Sequence, residues 1–452
     1  MARSNTERTD RRLVALMVTA ALFGRTGGAL GTGYELREQS AVGQGTSFAG
    51  AAARGDDPSF LFFNPAAMAW LRGTHATLIG SGLFSRVEAR SGGAARSTTL
   101  GAGVIAGSLG GDAAQDAVLP AFHASTALSN DWRLGLSVTS PWGLVTKYPA
   151  DFLGRYHALT SSLRTVNIAP SVAWRALPNL AFGAALQIQY ADARLSNAVD
   201  FGGIGSLNPA LRAAGIRPGL ADGRAAVTGD NTSIGWKVGA QWEPANGTRL
   251  GAAFRSAVFH DLSGEALFEG VPAPLATTFA RTGARAKLTT PEGLTLGLSQ
   301  RLGENWTWLA GAEWTNWSRF RDLVVRFDDG RAPSITQERW RDTWFLSTGA
   351  EYRATETLTL RAGAAWDKSP VQEATRTPRI PDADRYWLSA GASWQAMRDL
   401  TLSVAYTHIF VGEGRIRLRD TGPGGSDFLR GSLNADYSAS IDILSVQASF
   451  AF

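Results

Sequence analysis

Hydrophobic and polar residues alternate with a period of two along most of this chain. Over 132–138, Trp132, Leu134, Leu136 and Val138 share one face, and Arg133, Gly135 and Ser137 share the other. Over 180–190, Leu180, Phe182, Ala184, Leu186, Ile188 and Tyr190 oppose Ala181, Gly183, Ala185, Gln187 and Gln189. Over 234–242, Ile234, Trp236, Val238, Ala240 and Trp242 oppose Gly235, Lys237, Gly239 and Gln241. Such alternation predicts strands with one apolar and one polar neighbourhood. Counting back from the C-terminus gives about fourteen strands: 73–89, 119–129, 131–146, 161–176, 179–195, 230–243, 248–262, 282–301, 305–327, 340–353, 357–368, 384–396, 399–418 and 437–452. The glycine-rich run 98–109 is assigned to the first external loop. The alternation slips at Asp442-Ile443, which predicts a β-bulge there.

Alternation alone fits two architectures. A soluble sandwich turns its apolar rows inward, and an outer-membrane barrel turns them out to lipid. Three features favour the barrel. The strands are long. Tight polar turns, such as Ser129-Asn130-Asp131, Pro178-Asn179 and Arg398-Asp399, alternate with long connections. Trp132, Trp174, Trp242, Trp306 and Trp394 stand beside the tight turns, where an interfacial girdle would lie. The fold class expected is therefore all-β, a transmembrane antiparallel barrel.

The stretch from Gly33 to Trp70 breaks the pattern. It has no alternation, carries Phe48, Phe60, Leu61, Phe62, Phe63, Met68 and Trp70, and is rich in Gly and Ala. It is too apolar for a solvated linker and too rich in small residues for a robust helix. Its backbone polar groups need partners, so it reads as a plug packed inside the barrel.

Composition narrows the chemistry. There is no Cys, which removes disulfides, thiolate metal sites and cysteine nucleophiles. The formal charge is +5, but five arginines against Glu7 and Asp10 place +3 of it in the first 29 residues. The remaining arginines are scattered rather than clustered, so nucleic-acid binding is not indicated. Arg11-Arg12, the apolar run 13–23 and Gly27-Gly28-Ala29 fit a cleaved signal peptide over 1–29. The five His residues show no metal-ligand spacing, and no nucleophile-elbow motif occurs, so no enzyme, metal or cofactor is predicted.

The residues Gly33-Tyr34-Glu35-Leu36, Glu38-Gln39-Ser40-Ala41, Gly43-Gln44-Gly45, Phe48-Ala49-Gly50, Asp56-Asp57 and Phe63-Asn64-Pro65-Ala66 resemble the N-terminal hatch of the FadL/TodX family. Those proteins are outer-membrane transporters of long-chain fatty acids and aromatic hydrocarbons. Further matching stretches are Tyr148-Pro149-Ala150-Asp151-Phe152, Trp314-Thr315-Asn316-Trp317-Ser318 and Thr377-Pro378-Arg379-Ile380-Pro381-Asp382. The resemblance implies a hatch over 30–72, a barrel over 73–452 and passive uptake of hydrophobic molecules, fatty acids first. The alternatives are a hydrocarbon channel of the same architecture and a general porin or adhesin-like barrel.

Site expectations follow. Asn64, Pro65 and Ala66, with Gly43 and Gly45, would seat the hatch. Ser140, Pro141, Trp142 and Gly143 interrupt the third strand, because Pro141 cannot donate to a ladder and Gly143 weakens pairing. Pro141 could simply mark the strand's outer end. The resemblance implies instead an inward kink that opens the wall sideways. Phe201, Leu207, Phe268 and Phe279 make two external loops more apolar than solvation requires, either for substrate capture or for packing between loops. A carboxylate in an apolar pocket needs a buried cation or donors; Arg133, Lys237, Arg255 and Arg361 face the lumen and either serve that purpose or pair with Asp or Glu of another strand, such as Glu313, or with the plug. The partners implied are a hydrophobic small molecule, outer-membrane lipid and lipopolysaccharide. The terminal Phe452 resembles the signal read by barrel-assembly machinery.

Overall fold

The structure, a computed structural model, describes residues 33–452. The expected leader, 1–29, lies outside the described residues. Fourteen antiparallel wall strands close into a barrel. They are β1 (Thr74–Ala95), β2 (Ala117–Ala127), β3 (Trp132–Thr139 and Gly143–Lys147), β4 (Thr160–Leu177), β5 (Leu180–Asp200), β6 (Asp222–Ala245) and β7 (Thr248–Arg255 and Val258–Glu269). Then follow β8 (Thr282–Thr290 and Gly293–Leu302), β9 (Trp306–Thr315 and Asp322–Phe327), β10 (Ser334–Gln337 and Thr343–Arg353), β11 (Leu358–Asp367), β12 (Arg385–Gln395), β13 (Leu400–Val411 and Gly414–Leu418) and β14 (Ser432–Ala451). The barrel closes between β1 and β14, in register from His75↔Ala451 to Ala95↔Ser432.

The apolar rows point outward. On β6, Ile234, Trp236 and Val238 are 64%, 49% and 43% exposed, whereas Lys237 between them is 8% exposed. That is the arrangement of a lipid-facing wall and not of a soluble sandwich. Beside the tight turns, Trp132 stacks on Trp174 with ring centroids 5.9 Å apart, and Trp306 packs on Tyr352 at 4.6 Å.

Two sequence expectations change. The strands rise further above the membrane than predicted. Residues 196–200, 222–229 and 263–269 are paired strand, not loop. The ladder is regular at Asp442 and Ile443, opposite Phe84 and Leu83, so the expected bulge is absent there. Asp442 keeps its outward place and accepts from Tyr406 Oη at 2.6 Å, with His408 Nδ1 at 2.7 Å. The slip is one of side-chain chemistry, not of backbone register, and the irregularity lies at Ala89/Ser91. The run 98–109 does lie in the first external loop, with one helical turn at Thr98–Leu100.

Candidate functional site: a seated hatch, a wall break and an apolar pocket

Residues 33–72 fold inside the barrel as short helical turns, three of which start at a side-chain cap. Ser40 Oγ accepts from Gly43 N, Asp57 Oδ1 from Ser59 N, and Asn64 Oδ1 from Ala66 N, each at 2.9 Å. Pro58 and Pro65 occupy the first helical positions, where no amide is missed. Asn64 also reaches out of the hatch. Its Nδ2 donates to Ala52 O at 2.7 Å and to the wall carbonyl of Ala240 at 3.0 Å.

The wall receives this segment on glycine. A Cβ on Gly183 would stand 2.3 Å from Ala66 N, one on Gly239 2.0 Å from Asn64 Oδ1, one on Gly251 1.9 Å from Ala52 O, and one on Gly363 2.2 Å from the carbonyl carbon of Thr46. Gly45 lies against Gly391, backbone on backbone. These wall glycines sit at inward positions of β5, β6, β7, β11 and β12, so the hatch backbone lies directly on the sheet. Gly43 packs under Phe48.

The third strand breaks where the sequence places Pro141. The β2–β3 ladder runs from Ala127↔Arg133 to Phe122↔Val138 and stops. It is regained only at the Ala114↔Thr146 bridge. Between these points, Ala117–Ala121 pairs with β1 alone. The chain turns inward there. Trp142 is buried, and its N–H donates to Thr165 Oγ1 at 3.0 Å. The start of the hatch fills the inner side, with Leu36 N donating to Pro141 O at 2.9 Å and Gly143 N to Tyr34 O at 2.8 Å. Gln39 Nε2 donates to Ser140 O at 3.0 Å. Leu36 packs directly on Gly143, and a Cβ there would stand 2.7 Å from Leu36 Cδ1 and displace it.

Above this level Tyr34 stands in an aromatic cage of Trp142, Trp317, Phe320 and Trp340, with centroids 4.7–6.0 Å away. Tyr34 and Phe320 bound an apolar pocket walled by Leu144, Leu163, Leu195, Leu262, Leu288 and Val325. Its polar wall includes Glu338 and Arg379. Beyond it lies a wider vestibule, about 1710 Å³ and open to solvent, lined by Phe268, Phe279, Phe327, Leu429, Arg331 and Arg430. Leu195, Val227, Leu323, Val325 and Arg379 border both spaces.

Of the four external-loop residues singled out above, Phe268 and Phe279 line the vestibule. Phe201 is fully buried behind them, 4.9 Å from the Phe279 ring, and Leu207 is 50% exposed outside. The four lumen cations have protein partners below the pocket. Arg133 Nε donates to Leu71 O at 2.8 Å, and Arg361 Nη1 to Ser393 Oγ at 2.5 Å. Arg255 pairs with Glu35 at 2.8 Å, and Lys237 donates to Phe62 O. None of the four borders the apolar pocket; Arg379 does, and strand periodicity did not point to it.

The sequence matches the family described as outer membrane protein transport protein (OMPP1/FadL/TodX) over residues 24–452. The chain belongs to this family. It is 28% identical over 447 aligned positions to the outer membrane protein NMB0088 of Neisseria meningitidis, covering 93% of this chain and 95% of that one. It is 26% identical to the long-chain fatty acid transport protein of Escherichia coli O6:H1, covering 87% and 90%. The crystal structure of a Pseudomonas aeruginosa FadL homologue superposes with a TM-score of 0.85 at 26% identity, over 94% of this chain and all of that one. The Pseudomonas putida toluene transporter TodX shares the fold at a TM-score of 0.66 and 18% identity, over 92% of this chain and 99% of that one. This FadL-family barrel is thus a passive channel for hydrophobic substrates in the outer membrane of a Gram-negative bacterium, and not an enzyme.

Proposed function

We propose that this barrel takes up long-chain fatty acids. Substrate collects in the vestibule, and its alkyl chain enters the apolar pocket above Tyr34. It leaves sideways through the wall break at Ser140–Gly143 once residues 33–40 withdraw. The seated body of the hatch, held at Asn64, stays in place.

The observation that carries this reading is Arg379. It is 8% exposed and stands where vestibule and pocket meet. Its hydrogen bonds, to Thr160 O, Ser161 Oγ, Ser196 O and Asn197 Oδ1, are all to neutral acceptors and span 3.2–3.5 Å. Among the described residues no carboxylate stands at ion-pair distance from this buried cation, and Glu338 in the same pocket wall acts on it only from further off. A carboxylate at the head of an alkyl chain supplies a close counter-ion, and a neutral hydrocarbon does not. The long-chain fatty acid transport protein of E. coli, at 26% identity, points the same way.

The test is ligand binding to purified protein in detergent. Arg379→Met should weaken oleate about tenfold, the worth of one charge-assisted hydrogen bond, and leave oleyl alcohol unchanged. Equal loss for both ligands, or loss for neither, would move the carboxylate site elsewhere. Tight toluene binding without oleate binding would move the chain to the hydrocarbon branch.

A further inference from the structure

Beneath the aromatic floor, Lys237 and Arg255 stand at the junction of two small cavities. One is bounded by Glu35, Arg37, Phe62, Thr295 and Glu313 together with both cations. The other is bounded by the same cations with Ser137, Thr139, Asn167 and Pro141, and so abuts the wall break. Both cations are 8% exposed. Among the described residues, Lys237 has no carboxylate at ion-pair distance. It donates to Phe62 O and lies 4.7 Å over the Phe62 ring. Arg255 Nη2 is 2.8 Å from Glu35 Oε1 and 3.7 Å from Glu313 Oε1, while its buried Nε has no hydrogen-bond partner. The junction is therefore short of negative charge and of acceptors.

Glu313 belongs to the wall. Glu35 belongs to the first residues of the hatch, and its backbone bridges to Trp142 inside the kink. The carboxylate nearer to Arg255, which also pairs with Arg37 of the hatch at 3.1 Å, thus rides on the segment that blocks the break from within.

We infer that Lys237 and Arg255 form a second carboxylate-binding station and that Glu35 is its occupant while no substrate is bound. An arriving fatty-acid carboxylate takes the place of Glu35 on Arg255 and engages Lys237. Glu35 is released, and residues 34–36 come away from the kink. Charge is conserved, because one carboxylate replaces another. A neutral ligand cannot make the exchange, since it would leave the buried Arg255 with only Glu313, at 3.7 Å, as a counter-ion. This inference rests on the reading of the barrel as a fatty-acid transporter and adds the groups that select for an anion at the gate.

The test uses full-length protein in cells lacking their own transporter, with initial uptake of labelled oleate and labelled oleyl alcohol across a concentration series. Glu35→Gln removes the competing charge and should raise the maximal oleate rate about fivefold, with an unchanged half-saturating concentration. Lys237→Met should lower the maximal oleate rate about tenfold. Oleyl alcohol should enter at one rate in all three. Heat-modifiable migration reports barrel folding, and if Glu35→Gln does not fold, Lys237→Met decides alone. Oleate rates unchanged in the variants, or altered equally for both ligands, overturn the exchange. Absence of oleate uptake by the unaltered chain overturns the transport reading itself.

Discussion

Replacing Gly251 with alanine is a minimal change that pits the hatch against its wall. The added Cβ would stand 1.9 Å from the carbonyl oxygen of Ala52 and 2.3 Å from its carbon. Ordinary contact lies near 3.5 Å, so the carbonyl must retreat by about 1.5 Å. The wall resists, because Gly251 is registered with Gln241 on one side and Gly297 on the other. Ala52 O accepts from Asn64 Nδ2 at 2.7 Å and from Gln241 Nε2 at 2.8 Å, and a retreat of that size breaks both bonds. Overpacking costs about 1–3 kcal/mol, and the two hydrogen bonds contribute about 1 kcal/mol each. The seated hatch is thus disfavoured by about 3–5 kcal/mol, a hundredfold or more in its seating equilibrium. The ladder hydrogen bonds of β7 are untouched, so the barrel persists. Single-channel recording in planar bilayers reads the result. The unaltered barrel should be closed to ions, and Gly251→Ala should open often. Gly80→Ala, where the nearest atom is Val446 Cγ2 at 4.0 Å, is the control and should stay closed. A Gly251→Ala barrel as silent as the control would refute the account of how the hatch is held.

Asn64→Ala removes a cap and the hatch-to-wall bond to Ala240, and caps are worth about 1 kcal/mol. It should leave heat-modifiable migration intact while lowering oleate uptake, and normal uptake by the folded variant would remove Asn64 from the anchor. Burial raises the Glu38 carboxyl to about 7 from its ordinary 4.5. Its neutral form is thus favoured in the folded state, and stability falls as pH rises from the unfolded value through the folded one. Glu38→Gln should therefore raise the melting temperature at pH 8, by up to about 3 kcal/mol of stability, and change little at pH 4.5. A melting difference between Glu38→Gln and the unaltered chain that is the same at both pH values would contradict this.

The strand ladder was legible because lipid on one side and a polar lumen on the other impose a period of two over β4–β13. It faded where that contrast ends. Above the membrane the outward residues of β5–β7 turn polar, as at Asp192, Arg194 and Asp230, so the upper strands looked like loop. The Pro141–Gly143 interruption was visible from backbone chemistry alone. Its inward direction was not, since that depends on Thr165 from β4 and on Tyr34 and Leu36 from the hatch. The glycines that seat the hatch hid among ordinary small residues, because a wall strand alone does not say what lies against it. Arg379 was hidden for another reason. It lies in a connection without periodicity, and only the assembled barrel brings it beside Ser161 and Asn197.

The most direct test of the whole account is uptake of labelled oleate and, separately, labelled toluene by whole cells lacking their own transporter. Those cells would express this chain or its Pro141→Val variant, which restores an amide donor at the break and favours a continuous strand. The account predicts rapid oleate entry through the unaltered barrel and its loss in Pro141→Val, with both proteins folded in the outer membrane. Oleate entering equally through both would contradict exit through the wall, and toluene entering without oleate would contradict the fatty-acid assignment.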